Sequence, residues 1–160
     1  MPPRLILAIA LAMATVPIAS LGSAEQTMIW VENTNGGLTT LTYGPLNPAE
    51  NPLFMMSCFG GLNIVVLDVH KEIPGAKPGD PLTIELSSAK TQLPVTGEVG
   101  KDEAAGATFG EASDIDVKPV LAVLGDPGPL TVKMGEASAT MSDLGRADAV
   151  AKFVENCKRD

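Results

Sequence analysis

The chain has 160 residues, 45% of them hydrophobic, and a formal net charge of −8 at pH 7. An acidic balance of this size disfavours nucleic acid and anionic lipid surfaces as partners, because both repel it. One histidine, two cysteines and 4% aromatic residues give no basis for a histidine-rich metal centre, a Cys-x-x-Cys redox motif or the aromatic platforms of a sugar-binding protein.

Residues 1–24 read as an export signal. Arg4 precedes the apolar run Leu5 to Ile18, and Ala19-Ser20-Leu21-Gly22-Ser23-Ala24 then leads into Glu25. A cationic start, an apolar middle and small residues before the cut are the pattern of a cleavable signal. Pro17 closes the run short of the roughly 20 apolar residues that a bilayer span needs. No cysteine adjoins the cut to receive a lipid. The mature chain is therefore expected to begin at Glu25, to be periplasmic or secreted, and to have no stable membrane insertion after cleavage. Residues 25–160 are expected to form a single β-rich domain.

In chain order, Met28 to Glu32 and Thr39 to Tyr43 flank Asn33-Thr34-Asn35-Gly36-Gly37, a turn signal that predicts an opening hairpin. Leu53 to Phe59 and Ile64 to Val69 are continuous apolar runs of strand length, joined by Gly60 to Asn63, and predict a central hairpin. Period two puts Cys58 on the face of Phe54 and Met56, toward the core. After the turn-rich stretch Pro74 to Pro81, Leu82, Ile84 and Leu86 alternate with Thr83, Glu85 and Ser87, a strand buried on one face. Leu93 to Val99 predicts another strand, and the Gly/Ala/acidic stretch 100–116 an exposed, mobile loop.

Val117 to Gly125 predicts a short helix, with Val120, Leu121 and Leu124 to one side, stopped by Gly125-Asp126-Pro127-Gly128-Pro129. Leu130, Val132 and Met134 alternate as a strand, and a turn at Met134 to Ala137 lets Ala139 and Met141 return beside it. Leu144 to Asn156 predicts the C-terminal helix, capped by Ser142 and Asp143, with Ala147, Val150, Val154 and Cys157 on the inner face. Two cysteines with none left over suit one structural disulfide, Cys58 to Cys157. The fold class that follows is mainly β: a β-sandwich-like antiparallel domain with a short helix and a C-terminal helix tied to a core strand by that disulfide. A more open α+β sheet is the alternative.

Catalytic chemistry has little to work with. His70 and Asp68 lie two residues apart on one strand face, so a carboxylate stands near enough to orient an imidazole, and these two form the candidate binding pair. No nucleophile elbow of the Gly-x-Ser-x-Gly kind accompanies them, and no catalytic residue is assigned. The carboxylates Glu98, Asp102, Glu103, Glu111, Asp114 and Asp116 lack a calcium-loop signature and read as a solubilising set. Met55 and Met56 read as core filler rather than copper ligands. No cofactor and no metal site are expected.

Trp30, the strand with Met56-Ser57-Cys58, the segment Pro119 to Gly125, Leu130-Thr131-Val132, and Leu144-Gly145 leading toward Cys157 together resemble exported alphaproteobacterial β-sandwich proteins. More distantly, the pattern resembles the invasion-associated locus B family and the related type VI secretion accessory group. The resemblance implies a cell-envelope protein linked to host-cell contact, with no catalytic residues to carry across. The expected function is that of an exported, non-enzymatic envelope protein, a protein-binding or accessory module whose partner is another envelope or extracellular protein. The sheet edges and the loops around Gly36 and Gly75 to Pro81 are the candidate contact surfaces. Two alternatives stand beside it: a small-ligand-binding protein or hydrolase with a site near Asp68 and His70, and an acidic inhibitor of a cationic enzyme.

Overall fold

The computed structural model describes residues 27–47 and 50–157. The expected signal segment, residues 1–24, lies outside the described residues. Among the described residues nine strands form one antiparallel sheet: β1 (Met28–Asn35), β2 (Leu38–Pro45), β3 (Phe54–Phe59), β4 (Ile64–Val69), β5 (Pro81–Ser87), β6 (Gln92–Lys101), β7 (Thr108–Ala112), β8 (Leu130–Met134) and β9 (Ala137–Met141). Two helices accompany the sheet among the described residues, α1 (Val117–Gly125) and α2 (Arg146–Asn156). The strand order is β1-β2-β3-β4-β7-β6-β5-β8-β9. A meander of four strands therefore meets a second group of five through a single joint between β4 and β7. That joint has three residue pairs, Leu67 with Ala112, Asp68 with Glu111, and Val69 with Gly110.

The sheet folds over so that its ends meet. Trp30 on β1 donates from Nε1 to the carbonyl of Ser142, just past β9, at 2.6 Å. The Tyr43 hydroxyl on β2 accepts from the Ser142 N–H at 3.3 Å. Inward residues of both halves, among them Leu41, Phe54, Met56, Leu67, Ile84, Leu86, Val132 and Met141, form one buried core. Helix α2 packs on β1 and β2, α1 packs on β5 and β6, and the helices touch each other across the two halves.

The opening hairpin is tighter than its turn signal suggested. The strands run through Asn35 and resume at Leu38, leaving a turn of Gly36 and Gly37, both at positive φ (58° and 87°). Such a two-residue turn matches the twist of the strands it joins. The central hairpin, the alternating strands β5 and β8, and the return strand β9 occupy the predicted places. Helix α1 has the predicted bounds, and the Asp116 carboxylate caps it by accepting from the Lys118 N–H at 3.1 Å.

Three expectations are corrected. The stretch 100–116 is not an exposed loop throughout: β6 continues to Lys101, β7 occupies Thr108–Ala112, and Gly110, Ala112 and Ile115 are buried. The inner face of α2 is Arg146, Ala149, Val150 and Phe153, while Ala147 and Val154 are exposed. Its N-cap is Gly145, not Ser142 or Asp143; the Asp143 carboxylate instead accepts from the Gly128 N–H at 2.9 Å. The face is turned because Arg146 belongs to the interior. Its Nη2 donates to the carbonyls of Asp126 and Gly128, and its guanidinium lies over the Trp30 ring, 5.8 Å from the centroid. Cation–π attraction and two carbonyl acceptors offset the burial of the charge.

Cys58 and Cys157 are bonded, joining β3 to the end of α2 across 99 positions of sequence. The pairing follows the prediction from both sides: Cys58 points into the core beside Phe54 and Met56, and Cys157 follows Phe153 by one helical turn.

Gly97 fixes how closely β7 can approach β6. A Cβ there would stand 2.2 Å from the Glu111 carbonyl oxygen, an atom of the sheet backbone that has no rotamer to yield. Gly97→Ala is expected to destabilise the protein by about 1–3 kcal/mol, the usual range for overpacking. Chemical denaturation of the two forms measures it.

Candidate functional site

Inward and outward residues alternate along β4, so Leu67 and Val69 fill the core while Asp68 faces the outside of the sheet, with His70 two residues further on. Predicted as a pair, they keep different company. The register sets Asp68 opposite Glu111 of β7 and Met55 of β3. Only 9% of Asp68 is exposed, and its carboxyl is pushed up to about 6, first by burial and then by the negative charge of Glu111. Glu111 itself accepts from the Ser113 hydroxyl at 3.2 Å.

His70 belongs to a neighbouring hollow. Its N–H on the main chain donates to the Leu53 carbonyl at 2.8 Å, and its ring stacks on Phe109, with centroids 4.9 Å apart and planes 21° from parallel. Phe109 in turn lies over Gly100, whose missing side chain leaves room for the ring. Burial lowers the imidazole pKa, and the charge of Asp102 works against that shift. The hollow, of about 180 Å³, is lined by Asn51, His70, Glu72, Asp102, Thr108 and Phe109. Its floor is already committed: Asp102 accepts from the Ala104 and Ala105 N–H groups at 2.9 and 3.0 Å and from Asn51 Nδ2 at 3.0 Å. Those bonds, the Ala105 one foremost, hold its carboxyl below the usual range.

No hydrogen bond joins Asp68 to His70. Each feels a different carboxylate, so the two do not form an oriented acid–base dyad. Of the wider acidic set, Asp116 caps α1, Asp102 closes its own turn and Glu103 pairs with Lys101 at 3.0 Å, while Glu98 and Glu111 stand opposite each other on β6 and β7. Among the described residues, no three carboxylate, imidazole or thiolate groups gather closely enough to hold a metal ion.

Another feature of the same outer face escaped sequence reasoning. An open groove of about 340 Å³ runs over β1, β2 and β3 and is floored by Ile29, Val31, Thr42, Pro52 and Met55, with Leu46 at its rim. Val31 is 42% exposed and Leu46 67%. The alternation of Ile29 and Val31 against Met28 and Trp30 was the signal: both faces of β1 are apolar, and only one can be core. Of the loops proposed as contact surfaces, Gly36 and Gly37 remain at an exposed hairpin tip. The segment Gly75 to Pro81 is tied down, since Gly79 donates to the Val99 carbonyl at 2.8 Å and Val99 to that of Asp80 at 2.9 Å.

The fold and these surfaces define a mainly β protein whose terminal helix is bound to a core strand by a disulfide. A distant structural neighbour is invasion associated protein B from Bartonella henselae, at 16% sequence identity and a TM-score of 0.41, covering 78% of this chain and 96% of that one. No family model matches the chain, and no curated protein matches it.

Proposed function

We propose that this protein is an exported, non-enzymatic module of the cell envelope that binds another protein through the outer face of its sheet. The observation that carries the reading is the groove over β1 to β3, where apolar side chains line a solvent-facing surface. Burial in the core accounts for Trp30, Leu41, Phe54 and Met56, but folding gives no use for Ile29, Val31 and Met55 on the opposite face. Contiguous exposed apolar surface of this kind marks interaction sites. β1 is also a terminal strand of the sheet, a position at which extended partner segments commonly add. Export is supported by the disulfide, which persists in oxidising compartments, and by the signal-like start of the sequence.

The test is affinity capture of the tagged mature protein from the envelope of its source cells at low and moderate salt, with Val31→Glu beside the natural protein. A partner retained by the natural protein at both salt levels and reduced at least tenfold by Val31→Glu is the expected result. Absence of a partner, or one held equally by Val31→Glu, would overturn the reading.

A further inference from the structure

Beside the apolar groove, the outer face carries three acidic residues in one cross-strand row. Met55 of β3 stands opposite Asp68 of β4, Asp68 opposite Glu111 of β7, and Glu111 opposite Glu98 of β6. Neighbouring strands lie about 4.8 Å apart, so the row from Asp68 to Glu98 spans about 10 Å. Asp68 is nine-tenths buried as a residue, its carboxylate oxygens keep some contact with solvent, and its side chain makes no hydrogen bond or ion pair among the described residues. A largely buried carboxylate facing a second carboxylate is held less favourably in its ionised form than one in open water.

The missing element is a cation. A metal ion would find only the two adjacent carboxylates, too few to replace its water shell. A guanidinium presents five N–H donors in one plane and can bridge two carboxylates on neighbouring strands. The flanking groove accepts the apolar residues next to it. We propose that the Asp68–Glu111 pair receives an arginine side chain of the partner protein, whose neighbouring residues lie in the groove formed by Val31 and Met55. This rests on the protein-binding reading above, and the chain's net charge of −8 favours a basic segment as the partner.

Binding must be pH-dependent. The groups around Asp68 are Glu111 on β7, Glu98 beyond it on β6, and His70, just past the end of β4, under the charge of Asp102; β3 offers only the uncharged Met55 and Ser57. The arginine requires ionised Asp68, so affinity falls tenfold for each pH unit below about 6.

The test is a titration of the mature protein with acetyl-Val-Arg-Val-amide, read at the side-chain carboxyl carbons of Asp68 and Glu111 by NMR. Saturable shifts at both carbons are expected, with affinity reduced at least tenfold in Asp68→Asn and in Glu111→Gln and weakened as the pH falls through about 6. No shift up to tens of millimolar peptide, equal affinity in Asp68→Asn, or the same shifts from calcium chloride at lower concentration would overturn the proposal. A captured partner lost by Val31→Glu but held fully by Asp68→Asn would overturn it while leaving the protein-binding reading intact.

Discussion

Replacing both cysteines, Cys58→Ala with Cys157→Ala, is expected to lower the unfolding free energy by about 4–5 kcal/mol, the chain-entropy value for a loop of about a hundred residues. The bridge closes 99 positions of sequence and so constrains most of the unfolded mature chain. It also clamps α2, which packs across β1 and β2 and carries Arg146 beneath Trp30. A loss of this size approaches the whole stability of many domains. The melting temperature should fall by on the order of 15 °C, and reduction of the natural protein should reproduce most of the effect. Thermal and denaturant unfolding of the oxidised, reduced and double-alanine forms measures it. A change below about 1 kcal/mol would mean that the bridge decorates a fold held by its core alone.

The second large effect concerns Asp68, and its sign is opposite. Its carboxyl titrates near 3.8 in the unfolded chain and at about 6 in the folded protein, so between those values the folded state binds more protons. Stability therefore falls as the pH rises through that window. Below it the penalty on the ionised form is absent; above about 6 it is present in full, on the order of 1–3 kcal/mol once solvent screening is allowed for. Asp68→Asn removes this titration. The stability of the variant relative to the natural protein should grow by about 1–3 kcal/mol between the acid and alkaline sides of the window. Any fixed cost of seating the amide is the same at every pH. Glu111→Gln should show a smaller change in the same direction, because burial is the larger cause of the shift and the Glu111 charge the lesser. Denaturant unfolding across the window measures both variants. Parallel profiles for Asp68→Asn and the natural protein would show that Asp68 is not strained by folding.

Strict alternation made much of the sheet legible in the sequence. Leu82, Ile84 and Leu86, and likewise Leu130, Val132 and Met134, mark their strands because each inward residue is large and each outward one polar. Strand β7 escaped for the converse reason. Its inward residues, Gly110 and Ala112, are small, and Gly110 is closely packed: a Cβ there would lie 2.3 Å from Met134 Sδ and 3.0 Å from Leu82 Cδ2. Small residues there erase the apolar signature by which a strand is recognised. Helix α2 was placed but misoriented, since counting apolar residues alone excludes Arg146, which only the meeting of Trp30 with the Asp126–Gly128 carbonyls makes a core residue.

The candidate site was legible only by halves. Alternation turns Asp68 away from Leu67 and Val69, and Asp68 stands out as the acid within the run Ile64 to Val69. Its partner was not legible, because β7 had been missed and Glu111 faces Asp68 only through the three-pair joint of the two half-sheets. The groove, too, depends on which of two apolar faces of β1 the fold turns inward.

The most direct measurement is site-specific photo-crosslinking in the source cells, with benzoylphenylalanine placed either at Val31 in the groove or at Lys133, exposed on β8 in the other half of the sheet. The predicted result is a discrete protein adduct from position 31, absent from position 133 and weakened by Asp68→Asn. Equal adducts from both positions, or none from position 31, would contradict the outer face of β1 to β4 as the docking surface.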